Sequence, residues 1–243
     1  MRELPRNKAT LPHARPARFD KTGTCGIMSL AELTVRSRHM TDRRTNPHAS
    51  LMTTRRLILF AGHAGTGKTT LAKRTVPLLA ERSGRDFFFL DKDTAYGAFS
   101  SHIMGLLTGD PDDRDSPTYL QHLRDREYSG LLDITRENLE LGLQVMLVGP
   151  FTREIMAGKF FRPTELGLPA DTTCRIAWID LDSDEAKRRI EARNDARDRW
   201  KLAHWDDYLK RRVEPPTHPA LKRFDNGNAD QQAFGQLIDF LLG

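Results

Sequence analysis

The stretch that decides the fold is Arg56–Arg74, RLILFAGHAGTGKTTLAKR. An apolar run gives way to glycines, and a lysine and two threonines follow. Gly62-x4-Gly67-Lys68-Thr69 satisfies the phosphate-loop pattern, and it stands where that loop must stand, between an expected strand and an expected helix. Glycines let the backbone wrap a phosphate chain with its N–H groups pointing inward, and the helix N-terminus adds about half a positive charge at the same spot. Gly62, His63, Ala64, Gly65, Thr66, Gly67, Lys68, Thr69 and Thr70 are therefore expected to seat a nucleoside triphosphate. In this reading Lys68 reaches the β- and γ-phosphates and Thr69 offers its hydroxyl to Mg²⁺. His63 reads as a variable loop position.

Outward from this loop, short apolar runs alternate with amphipathic stretches. RLILFAG predicts strand one, and the helix that follows is expected to reach about Glu81, kinked or shortened by Pro77. RDFFFLDKD predicts strand two, LQVMLVGP strand three, CRIAWIDLD strand four and ALKRFDNG strand five. A long helix is expected from Pro117 to Leu141, with Ser116 as N-cap and Gly142 past its end. Ser183 is expected to cap a further helix, and DQQAFGQLIDFLL a closing one. Strands that read as continuous apolar runs are buried on both faces, which predicts an α/β fold with a parallel sheet covered by helices.

The chain has 243 residues and a pI near 9.4, but its charge is uneven. Residues 1–52 hold ten Lys/Arg against four Asp/Glu, leaving 28 against 29 for residues 53–243. The basicity belongs to the first segment, so global charge is no argument that the folded part binds nucleic acid. That segment lacks sustained periodicity and is expected to be largely disordered, dispensable, or an over-long start, with a helical turn or two around GIMSLAELTV. No apolar run approaches the roughly 20 residues of a membrane span. Cys25 and Cys174 stand far apart without metal-ligand neighbours and read as free thiols of a reducing, cytoplasmic compartment.

The phosphate loop beside FFFLDKDTAYG, with an arginine-rich segment after strand four, resembles the small P-loop kinases. Zeta toxins, chloramphenicol phosphotransferase, gluconate kinase and the 5′-kinase domain of polynucleotide kinases belong to this group. The resemblance spans about residues 55–243, and its arginine-rich segment implies a lid at about 187–212. It implies a three-layer P-loop fold with a five-stranded parallel sheet in the order 2-3-1-4-5. It also implies transfer of the γ-phosphate of ATP, with Mg²⁺, to a hydroxyl of a small molecule. By that resemblance Asp93 is the catalytic base, and Asp91 holds Mg²⁺ through water or orients the acceptor. Alternation along strand two would put both acids on one side, facing the loop; the alternative is that they cap the following turn.

In DEAKRRIEARNDARDRWKL, Arg189, Arg193 and Arg197 recur every four residues, and the resemblance favours Arg193 and Arg199 as lid arginines on the transferring phosphoryl. A solvated face laced by Glu185–Arg189 and Asp195–Arg199 pairs is the alternative. Strand three ends without an acid; Asp180 can be read as a Walker-B acid but suits the kinase reading less well there. Arg153, Arg124, Arg126 and Tyr128 are candidate acceptor contacts, and Trp200, Trp205 and Tyr208 are expected to pack the lid. Two rival readings remain: a polynucleotide or nucleotide 5′-hydroxyl kinase, and a nucleotide-dependent switch or ATPase.

Overall fold

A computed structural model describes residues 55–243; the expectations for the first segment, Cys25 among them, lie outside the described residues. In chain order the elements are β1 (Arg55–Ala61), α1 (Lys68–Ser83), β2 (Phe87–Asp91), α2 (Lys92–Thr108) and α3 (Pro117–Tyr119). A π-turn, Leu120–Arg124, joins α3 to α4 (Asp125–Glu140), and β3 (Gln144–Val148) and α5 (Thr152–Met156) follow. The chain closes with β4 (Thr172–Asp180), α6 (Ser183–Arg193), α7 (Arg199–Ala203), α8 (Trp205–Lys210), β5 (Leu221–Asp225) and α9 (Gln231–Leu242).

The five strands form one parallel sheet in the order β2-β3-β1-β4-β5, the expected P-loop topology. β1 shows why the strands had to be apolar throughout. Leu57, Leu59 and Ala61 point into one layer with Tyr128, Leu131 and Leu139 of α4. Ile58 and Phe60 point into the other, with Leu71 and Leu79 of α1 and Leu237, Ile238 and Leu241 of α9. All five strand residues are fully buried, and each fully buried Leu, Ile or Phe contributes about 1.5–3 kcal/mol. Cys174 is a free cysteine inside the first layer, and burial pushes its thiol up to about 12.

Several local expectations are corrected. Pro77 does not shorten α1, which continues to Ser83; it stands on the solvent side, where water can take the carbonyl of Lys73 that it frees. Strand two stops at Asp91, and α2, which the sequence reading did not foresee, begins at Lys92. The long helix exists with Ser116 as N-cap, but the π-turn interrupts it. Asp182 rather than Ser183 caps α6, accepting from the N–H groups of Asp184 and Glu185. Among the described residues, no helix is long and apolar enough to cross a membrane.

Candidate active site

The carboxyl ends of the strands open onto a cleft of about 980 Å³ whose floor is the phosphate loop. Gly62, Gly65 and Gly67 all have positive φ, a conformation that other side chains rarely adopt. At Gly62 a Cβ would also stand 2.5 Å from the Ile179 carbonyl oxygen. No side chain caps the N-terminus of α1, so its first N–H groups are left for a ligand in the cleft. Gly65, Gly67, Lys68, Thr69 and Thr70 line the cleft with His63 and Ala64, whereas Thr66 is fully buried and its hydroxyl donates to the His63 carbonyl. This is a cradle shaped for phosphate oxygens.

The Lys68 ammonium donates to the His63 carbonyl at 2.6 Å, and burial pushes it down to about 8. Phosphates favour its charged form, so nucleotide binding is expected to take up a proton near pH 8. Affinity should be flat below that pH and then fall by up to about tenfold per pH unit above it. Calorimetric titration at pH 8.5 in two buffers of different ionisation enthalpy reads the uptake directly; identical heats in both would refute it.

Thr69 and Asp91 meet across the loop, the hydroxyl donating to Asp91 Oδ2 at 2.8 Å. The other Asp91 oxygen caps α2, accepting from the N–H groups of Asp93 and Thr94. A hydroxyl and a buried carboxylate side by side at a phosphate seat form the donor set that Mg²⁺ takes together with phosphate oxygens, so the residues fit the ion. Asp93, in the first turn of α2, points into the same cleft with its side chain half-exposed. Burial alone would raise its carboxyl, but Lys92 and Arg197 outweigh that and hold it below the usual carboxylate range. The two acids thus face the cleft through a helix N-terminus, not through strand alternation, and the capping alternative is true of Asp91.

The segment expected as a lid, about 187–212, supplies side chains to the same cleft. α6 ends at Asn194, whose φ of 50° breaks the four-residue spacing, and Asp195 then caps a short 3-10 turn. Arg193 lines the cleft and pairs with the buried Asp198. Arg189 lines it too, paired with Glu185 as expected. Arg199 does not line it; its side chain is 74% exposed and pairs with Asp112. Arg197 stands in the cleft instead, 2.9 Å from Asp93 and also bound to Asp195. The sequence reading placed Arg197 on the helix face but passed over it as a site residue.

Other contacts had no local signal. The Tyr208 hydroxyl accepts from the Ala64 N–H at 2.9 Å, and Asn226 donates to the Thr66 carbonyl at 2.8 Å. His63 is bonded to the backbone of Val213 and stands edge-on to Trp178, so it fastens the loop to the far side of the lid. Lys201 and Arg211 reach Asp115 from the lid at 3.0 and 3.8 Å. Trp200 stacks on His204 and Trp205 leans on Tyr208; of the three aromatics Tyr208 alone lines the cleft. Asp180 is taken by Trp178 and Arg223 and is not among the cleft residues, which leaves the Walker-B reading without a site.

The wall opposite the lid is built by the π-turn. Tyr119, Leu120, Arg124 and Tyr128 all face the cleft, and Arg124 is gripped by Glu154 at 2.7 and 3.0 Å over the Tyr128 ring. Arg126 points elsewhere, into a separate apolar hollow with Phe99, Ile103 and Leu107. Arg153 and Thr152 enter from the end of β3. Under this wall Glu127, 3% exposed, accepts from Lys92 at 3.0 Å, Arg114 at 3.2 Å and Tyr119 at 2.7 Å, and also from Ser100.

The chain matches the AAA domain family over residues 57–216. It is a member of that family. Among curated proteins no match was found. Among solved structures it is similar to a sugar kinase from a Janibacter species, at 16% identity and a TM-score of 0.51, over 77% of this chain and 94% of that one. The APS kinase of Mycobacterium tuberculosis, in complex with AMPPNP and APS, is similar at 16% identity and a TM-score of 0.50, over 78% and 99%. Kti12 of Chaetomium thermophilum, in complex with ADP-AlF3, is similar at 17% identity and a TM-score of 0.50, over 75% and 95%. At these identities the likeness is one of fold. This AAA-family chain carries the fold with its loop, lid and acids on a single cleft.

Proposed function

We propose that the protein is a P-loop kinase that moves the γ-phosphate of ATP, with Mg²⁺, to a hydroxyl of a small molecule. The observation that carries the reading is Asp93: an ionised carboxylate in the same cleft as the phosphate loop, in the first turn of α2, with Arg197 on it. Similar structures that are a sugar kinase and an APS kinase agree with it. The cleft also contains what transfer requires and a simple ATPase does not, a second wall away from the nucleotide seat.

In this reading the loop's N–H groups and Lys68 hold the phosphates, while Thr69 and Asp91 hold the ion. Mg²⁺, when bound there, would supply charge neutralisation to the phosphates. Asp93 accepts the hydrogen bond of the acceptor hydroxyl and takes its proton as the new P–O bond forms and the bond to ADP breaks. Arg193 and Arg197 place charge over the transferring group, and the lid from about 187 to 212 excludes water. Arg199, outside the cleft, has no place in this mechanism.

A second reading makes the acceptor a nucleotide or polynucleotide 5′-hydroxyl. The cleft favours it, with eleven Lys/Arg against four Asp among its lining residues. The near-neutral balance of residues 53–243 opposes an extended nucleic-acid groove. The test is ADP release by the full chain with Mg-ATP, with and without hydroxylated acceptors. Turnover is expected to need an acceptor and to vanish in Lys68→Ala; equal turnover without any acceptor would replace the kinase by an ATPase or switch.

A further inference from the structure

The acceptor wall has an unequal charge ledger. Four cations face the cleft on that side: Lys92, Arg114, Arg124 and Arg153. Three are satisfied within the protein, Lys92 and Arg114 by Glu127 and Arg124 by Glu154. Arg153 is not. Its side chain is 56% exposed, its nearest carboxylate oxygen, on Asp125, is 3.9 Å away, and among the described residues it makes no hydrogen bond to any carboxylate. A guanidinium offers five donors in a fixed fork that matches an oxyanion.

The backbone that delivers this side chain is strained. Phe151, directly before α5, has φ of 45°, the left-handed region that a bulky residue avoids. Its ring is fully buried, edge-on to Tyr128 at 4.8 Å and to Phe160 at 5.3 Å, so packing holds the turn in place. The turn at Phe151 starts α5, whose first two residues, Thr152 and Arg153, line the cleft. Strain of this kind costs on the order of 1–3 kcal/mol and persists where the surroundings over-determine it. Leu120 and Met156 add apolar surface to the same cleft.

We propose that Arg153 is the specificity residue for an anionic acceptor, a hydroxylated small molecule bearing a phosphate or carboxylate group that seats on its guanidinium. The proposal rests on the kinase reading above. The hydroxyl of such a molecule lies toward Asp93 and its anion toward α5, with its body against Leu120 and Met156. The satisfied cations do not compete for the anion, because Glu127 and Glu154 already hold them.

The experiment uses the full chain and begins with AMPPNP and Mg²⁺, whose binding is measured by calorimetry in wild type, Arg153→Gln and Arg153→Lys. Inorganic phosphate is then titrated into the loaded proteins. Turnover follows for a matched set: a neutral polyol, its monophosphate and its aldonate. Expected are unchanged AMPPNP affinity in all three proteins and phosphate binding to the loaded wild type. That binding should weaken roughly tenfold to a hundredfold in Arg153→Gln, with partial retention in Arg153→Lys. KM for the charged acceptors should rise in Arg153→Gln by a similar factor with little change in kcat, and the preferred member of the pair tells phosphate from carboxylate. Failure of AMPPNP to bind wild type would sink the kinase reading itself. Normal AMPPNP binding with no phosphate uptake, uptake indifferent to Arg153, or a preference for the neutral polyol would overturn the role of Arg153 alone.

Discussion

Asp93→Asn is expected to lower turnover by about 100-fold or more while nucleotide affinity stays within about twofold. The substitution keeps the size of the side chain and removes its capacity to accept a proton. Lys92 and Arg197 hold this carboxyl below the usual range, which makes it a weak base. Weakness is tolerable here because a loose phosphoryl-transfer transition state needs the acceptor proton removed late, so orientation matters more than basicity. A structural role makes a different forecast. Arg197 also rests on Asp93, so a residue that merely holds the lid would, once neutral, raise KM for ATP and spare kcat. Initial rates against ATP and acceptor concentration separate the two, and a change confined to KM would remove Asp93 from the chemistry.

Glu127→Ala is expected to cost about 3–5 kcal/mol of stability, because it leaves Lys92 and Arg114 buried without their shared carboxylate. For a domain of this size that is a fall in Tm on the order of 10 °C. Burial and the adjacent Glu127 raise the Tyr119 phenol, so this hydroxyl stays a proton donor at any working pH and loses its acceptor too. Thermal unfolding of the full chain measures the effect. A Tm within about 2 °C of wild type would show that water fills the gap and that the cluster contributes little. Glu127→Gln separates packing from charge: it preserves shape and leaves the cations unneutralised, so it should recover only part of the loss.

The phosphate loop was legible because its instructions are local. Glycines at fixed spacing, a lysine and a threonine between an apolar run and a helix specify a conformation within a few residues. The sheet was legible for a related reason, since continuous apolar runs such as Leu57–Ala61 belong to strands covered on both faces. Strand two was overrun by two residues because Asp91 serves both as its last residue and as the N-cap of α2. α2 itself escaped notice because Phe99, Leu106 and Leu107 are exposed on its outer face, and apolar residues all round a helix erase the 3.6-residue period. The resemblance favours Arg199, whereas the four-residue spacing points to Arg197; Arg197 lines the cleft and Arg199 does not, although Asn194 ends the helix between Arg193 and both of them. Tyr208 and Asn226 reach the loop from more than 140 residues away, and no local pattern announces such a contact.

The π-turn at Leu120–Arg124 holds one residue more than the α-turn it replaces. Removing a single residue there would restore regular helix and leave Pro117–Tyr119 and Asp125–Glu140 in their own registers. The part of α4 that fills the core, with Leu131 and Leu139, lies wholly beyond the turn. The cleft wall and the core anchor are thus written in separate parts of one helix. A three-nucleotide insertion or deletion at this point is a route by which evolution can redraw the cleft wall at the cost of the small cluster of Leu123 with Met104, while the Leu131 and Leu139 contacts of the main core stay in place.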